Sequence, residues 1–292
     1  MIIQVNNLKK RYKKELVLKG INIEVEKPSI IALVGPNGSG KTTLLNCMTN
    51  LLSFQEGTIQ LVGKNYTDPK LFKEVSYLQD NRVLYGNLTG YDHLKFICSV
   101  QDIPYEKINQ VAERVGMSSY LKKRVRNYSL GMKQHLLLAM SIINDPKLLL
   151  LDEPLTGLDP TSAITVRHIL LELFEEGTTI LLSSHNLDEI DRLTNSIYFL
   201  KDGEILKESL SNLNSRHYTV TVTDSDKVQN ILKEHNYDFT IANNNQVSFS
   251  EQSIDLPTFI NLMNQNDIAI QDIDKQKLGA EKRYQELFEG VK

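Results

Sequence analysis

The chain has 292 residues, of which 41% are hydrophobic and 24% charged, the balance of an ordinary globular protein rather than a disordered or membrane-embedded one. That length accommodates about two domains of ~150 residues, each able to bury a core without disulfide or metal staples. A net charge of -3 gives no electrostatic reason to expect nucleic acid, and Cys47 and Cys98, without CxxC spacing, read as buried reduced thiols.

In chain order, the opening MIIQVNNLKKRYKK turns polar too soon for a signal peptide and reads as a first β-strand. From Ile2 to about Asn214, β-rich runs alternate with helical patterns, as in a mostly parallel sheet covered by helices. Three runs, IIALVG (30–35), KLLLLDEP (147–154) and TTILLSSH (178–185), are nearly continuous in apolar residues, as strands buried on both faces are. Their C-terminal ends are expected to form one crevice, where ligands of open α/β sheets bind. Residues 87–144 read as a helical insertion, LTGYDHLKFICSVQ, then PYEKINQVAERVGM, then YSLGMKQHLLLA and its continuation. The longest apolar stretches, Leu136 to Ile143 and Leu148 to Leu151, fall short of the ~20 residues that span a bilayer, so work at a membrane would need a partner. From about Ser215 the pattern becomes β-α-β-β-α-β with a final helix, a small α+β domain over 215–292. Nothing in it has catalytic spacing, and it reads as a structural or regulatory appendage.

The strongest motif is GPNGSGKTT, covering Gly35, Pro36, Asn37, Gly38, Ser39, Gly40, Lys41, Thr42 and Thr43, which matches G-x-x-x-x-G-K-[ST] between a strand and a helix. Backbone N–H groups and a helix N-terminus there surround a phosphate chain, Lys41 offers a point charge, and Thr42 a hydroxyl for Mg²⁺. Asp152 and Glu153 end an apolar strand, where a carboxylate is costly unless it serves a cation or a reaction; the alternative is that they cap the helix after Pro160. Glu153 suits a general base. His185 ends the third buried strand, whereas His93, His135, His168, His217 and His235 lack such context and read as surface or packing residues.

Taken together, GPNGSGKTT, SLGMKQ, LLLLDEPLTGLDP and LLSSH, in this order, resemble the ATP-binding subunit of ABC transporters over residues 1–214. The resemblance implies an α/β P-loop NTPase core binding ATP and Mg²⁺, with a helical subdomain at about 87–144. It implies that Tyr12 stacks on adenine, and that Thr42, Gln79 and Asp152 hold the magnesium. It makes Glu153 and His185 catalytic, and Asp159 the residue of a loop that crosses to a second subunit. The family's L-S-G-G-Q signature corresponds to Tyr128-Ser129-Leu130-Gly131-Met132, so Ser129, Gly131 and Met132 would face ATP held by the other cassette. Leu130 stands for a glycine and Met132 for the glutamine, departures that bear on turnover rate and affinity rather than on mechanism. Partners implied are a second cassette, in a homodimer, and a separate transmembrane permease that holds this chain at the cytoplasmic face of the membrane, contacted near Gln79 and residues 82–94 with exposed Leu84 and Tyr85 as anchors; the alternative for those two is ordinary packing between subdomains. Export of a peptide such as a lantibiotic, a drug or a toxin is the leading expectation. A non-transport cassette ATPase, or a regulatory one, is the alternative.

Overall fold

The computed structural model describes residues 1–13, 15–79, 81–210, 216–242, 245–277 and 280–288. The chain divides into two compact units, Met1–Glu208 and Ser209–Lys292, and the expected joint at residues 214 and 215 lies outside the described residues.

The first unit holds two sheets. β1 (Ile3–Tyr12) and β2 (Glu15–Val25) pair antiparallel. They are joined by β4 (Glu56–Leu61) and the short β5 (Lys64–Asn65) in the order β2-β1-β4-β5. The larger sheet contains β3 (Ile30–Val34), β6 (Val75–Leu78), β7 (Leu148–Asp152), β8 (Thr179–Ser184), β9 (Ser196–Lys201) and β10 (Glu204–Ser209). Its order is β10-β9-β3-β8-β7-β6, and the pairs from β9 through β3, β8 and β7 to β6 are parallel. β9 and β10 form a hairpin whose two turn residues, Asp202 and Gly203, both have positive φ, as a type I′ turn requires.

The uninterrupted apolar runs are explained by cover on both faces. In β7, Leu149 and Leu151 enter a core shared with the helical insertion, while Leu148 and Leu150 enter a second core shared with β1, β2 and α1 (Lys41–Met48). Burying each such leucine contributes about 1.5–3 kcal/mol, and alternation would have forfeited one face.

The insertion consists of α2 (Gly90–Gln101), α3 (Glu106–Arg114) and α4 (Leu130–Ile142). Thr89 and Asp92 close a capping box on α2, and Ser129 caps α4 by accepting from Met132 N. α5 (Pro160–Glu175) and α6 (Leu187–Asp191) follow β7 and β8.

The second unit runs β11 (Arg216–Val222), α7 (Ser225–Glu234), β12 (Phe239–Ala242), β13 (Gln246–Ser250), α8 (Leu256–Gln265), β14 (Ile270–Lys277) and α9 (Ala280–Phe288). Its strands lie in the order β12-β13-β11-β14, every pair antiparallel. The hairpin register sets Phe239 against Phe249 and Val220 against Val247, so one face carries the core with α7 and α8, and Phe249 stacks on Phe259 at 4.4 Å between ring centroids. On the opposite face Thr219 and Ser248 hydrogen-bond at 2.9 Å. Of the Asn-rich turn, Asn243 and Asn244 lie outside the described residues.

Candidate active site

β3 delivers the chain into the glycine-rich loop and α1 carries it away. A Cβ on Gly35 would stand 2.7 Å from the Leu200 carbonyl oxygen of β9, so the loop clears its neighbouring strand only without a side chain. Gly40 adopts φ 107° and caps α1 with no side-chain hydrogen bond, which leaves the first N–H groups of the helix to a ligand. Ser39 Oγ is buried with no partner. A phosphate at this helix N-terminus would satisfy both, and anions are favoured there. Lys41 is 7% exposed; its ammonium donates to the Gly35 carbonyl at 2.7 Å and the Pro36 carbonyl at 3.3 Å. Burial pushes its pKa below the usual value, opposed by Glu153 and Asp152. Exchanging the two carbonyls for phosphate oxygens converts neutral acceptors into charged ones and strengthens both bonds. Thr42 is exposed beside it.

The carboxylates come from the end of β7, and register decides what meets them. Asp152 stands opposite Ser183 of β8, whose buried hydroxyl donates to Asp152 Oδ1 at 2.6 Å and accepts from Glu153 N at 3.0 Å. Ser183 therefore fixes both residues. Glu153 has φ 52°, a conformation that costs a non-glycine residue about 1–3 kcal/mol and concentrates at functional sites. Its Oε2 receives His185 Nδ1 at 2.8 Å and Thr156 Oγ1 at 3.0 Å, while Oε1 lies 3.8 Å from Lys41 Nζ. The side chain of His185 is 53% exposed, and with Nδ1 committed to Glu153 its Nε2 edge is the one left for a ligand. α5 is capped by Asp159 through Thr161 N and Ser162 N, so neither Asp152 nor Glu153 serves as its cap. Hydrogen bonds from Ser162 hold the Asp159 carboxyl below the usual carboxylate range.

Two helix N-termini meet at the signature. A Cβ on Gly131 would lie 3.1 Å from Ser162 Oγ and 3.6 Å from Asp159 Oδ2, so a larger residue there would press on the Ser162 side chain. Ser129 is exposed, while Met132 packs on the helical core. Leu130 is 44% exposed and covers Gly157. One helical turn on, Gln134 is buried and donates to the Pro154 carbonyl at 2.7 Å, tying α4 to the loop that follows Glu153.

The remaining expected residues sit farther out. Tyr12 ends β1 with its ring 44% exposed and the Lys10 ammonium 4.9 Å from its centroid. Gln79 follows β6 and lines a cleft of about 330 Å³ with Leu51, Phe72, Val83, Ile97 and Gln101. For Leu84 the packing alternative holds over the exposed anchor: it is partly buried against the helical core, because apolar partners from the insertion take it up, and the exposed residues here are Val83, Tyr85, Leu88, Phe96 and Val100. His93 is a buried brace, accepting from Tyr85 N at 3.0 Å and lying 2.7 Å from the Thr89 carbonyl. His135 meets Tyr120 at 3.0 Å, and His168 and His235 are exposed. The side chain of His217 lies outside the described residues. Sequence reasoning missed Ser183 and Gln134; the signals available were a serine closing an apolar run and a glutamine inside an apolar helix. Among the described residues no cluster of three or more His, Cys, Asp or Glu side chains could hold a metal. The chemistry of the expected donors, the Asp152 carboxylate with the Thr42 hydroxyl and the Gln79 amide oxygen, fits Mg²⁺, which binds through one or two carboxylates plus substrate phosphates.

Residues 18–156 match the family model described as ABC transporter. The chain is 38% identical over 207 residues to the lantibiotic transport ATP-binding protein SrtF of Streptococcus pyogenes, covering 71% of this chain and 90% of that one. It is 36% identical over 250 residues to the bacitracin transport ATP-binding protein BcrA of Enterococcus faecalis, covering 82% and 81%. A solved structure described as the ATP binding subunit of an ABC transporter superposes with a TM-score of 0.67 at 25% identity, over 73% of this chain and 92% of that chain. A glycine-rich loop with an open helix N-terminus, a strained glutamate braced by a histidine and a signature helix behind them thus occur in a chain that belongs to the ATP-binding subunits of ABC transporters.

Proposed function

We propose that this chain hydrolyses ATP as one half of a two-cassette assembly and drives export of a peptide antibiotic or related peptide through a separate membrane subunit. The observation that carries the hydrolytic reading is Glu153, held at the crevice by His185, Thr156 and Lys41 in a backbone conformation few residues adopt. Gly35 to Thr43 would cradle the phosphates, with Lys41 on the outer ones, and Tyr12 would carry the adenine. Thr42, Asp152 and Gln79 would hold Mg²⁺, which when bound neutralises phosphate charge. Glu153 takes the proton from the attacking water, and His185 keeps the carboxylate aimed while its Nε2 edge faces the terminal phosphate. Ser129 and Gly131 would complete the neighbour's site through the N-terminus of α4.

No helix among the described residues is long and apolar enough to cross a membrane, which supports a separate permease. The cleft beside Gln79 supports docking of that permease at the inner face of the membrane. Gln101 Oε1 is buried there without a partner, Val83 lines the cleft, and Tyr85 before α2 and Phe96 and Val100 on α2 are exposed apolar residues. Peptide transport is supported by the names of SrtF and BcrA, which print transport of a lantibiotic and of bacitracin, and export is the direction we propose. The test is cells expressing the chain with its permease: survival of a lantibiotic or bacitracin should require both, and protection by a Glu153→Gln variant equal to the native chain's would contradict the proposal.

A further inference from the structure

We propose that Gln134 is a positioning residue that fastens the signature end of α4 to the loop bearing Glu153, so that two half-sites move as one body. The inference rests on the two-cassette reading, in which each chain keeps Glu153 for its own ATP and lends Ser129 and Gly131 to its neighbour's.

Three contacts bracket the loop from Glu153 to Asp159 at its start, middle and end. At the start, Gln134, only 8% exposed, donates Nε2 to the Pro154 carbonyl at 2.7 Å, one residue after the catalytic carboxylate. In the middle, Gly157 at φ 74° lies beneath Leu130, whose Cδ2 stands 2.7 Å from where a Cβ would project. At the end, Asp159 and Ser162 face Gly131. Between these points Leu155 and Leu158 enter the same core as Met132 and Leu136. A close-packed core with a buried hydrogen bond has few intermediate arrangements, so it transmits a displacement rather than absorbing it. The pull of a neighbour's terminal phosphate on α4 therefore reaches Glu153 through Gln134, and Leu130, placed where the family has glycine, adds a second grip on the loop. Coupling of this kind is reciprocal between the two sites.

The experiment measures ATP hydrolysis by the full chain against ATP concentration, and by mixed dimers in which one cassette carries Glu153→Gln. In the native protein the Hill coefficient should approach the ceiling of about 2 set by two sites, and one Glu153→Gln cassette should silence its neighbour. In Gln134→Leu the coefficient should fall toward about 1, and the mixed dimer should keep about half the turnover of the Gln134→Leu homodimer, one active site of two remaining. Leu130→Gly disturbs no buried polar group and serves if Gln134→Leu fails to fold; its coefficient should fall part of the way. A native coefficient of 1, or variants as cooperative and as fully silenced as the native protein, would overturn the proposal. Normal hydrolysis by a Glu153→Gln homodimer would instead overturn the catalytic reading on which it rests.

Discussion

The crevice at the strand ends of the first unit and the core of the second unit use the same elements for opposite ends. In the second unit, polar groups near the core are satisfied locally: Asp224 caps α7, Asp255 caps α8, and Thr219 pairs with Ser248. In the crevice Ser39 Oγ is left unpaired, the N-terminus of α1 is uncapped, a lysine is buried and a glutamate is held at positive φ. Local dissatisfaction marks the place where a ligand completes the structure; a finished hydrogen-bond inventory marks a scaffold.

That contrast breaks first at Glu153. Glu153→Gln should bind ATP and lose about 10²–10⁴-fold in turnover, the span general bases contribute; steady-state phosphate release checks it, and near-native rates would remove the catalytic assignment. Lys41→Ala should weaken ATP about 10–100-fold, the equivalent of one or two charge-assisted bonds, as measured by equilibrium binding of a fluorescent nucleotide, and unchanged affinity would contradict the phosphate role. Ser183→Ala releases Asp152 and Glu153 from their shared brace and should lower turnover about 10-fold with little change in the concentration of ATP needed for half-maximal rate. Phe249→Ala should cost about 3–5 kcal/mol in the stability of the second unit, read by denaturant unfolding, while the ATP turnover of folded protein stays unchanged; loss of hydrolysis would blur the distinction between the two regions. Burial pushes the Cys47 thiol up to about 11, so at neutral pH it is protonated, and alkylation should be negligible until the protein is unfolded.

Much of the crevice is legible in the sequence. Gly35 to Thr43, Asp152-Glu153 and His185 are recognisable because each motif's chemistry is local, carried by neighbouring residues at the mouth of an apolar run. Ser183 was not, since its meaning comes from Asp152, 31 residues away in sequence and opposite it only once β7 and β8 are in register. Gln134 was hidden for the same reason: its acceptor is 20 residues away, and a glutamine beside Leu136 to Ala139 looks like a solvent-facing position. Leu84 looked as exposed as Tyr85 because adjacent apolar residues in a loop carry no periodicity from which a face can be assigned.

By itself the sequence determined the order of strands and helices and which segments carry the glycine-rich loop and the paired carboxylates, because periodicity and short-range motifs encode them. Tertiary structure alone decided that β3 lies between β9 and β8, which brings the loop at Gly35, the Asp152-Glu153 pair and His185 to one edge. It alone decided that Glu153 takes a strained backbone and that α4 grips the loop behind it. Those facts depend on which distant atoms register and packing bring within hydrogen-bond reach, and no local pattern carries that information.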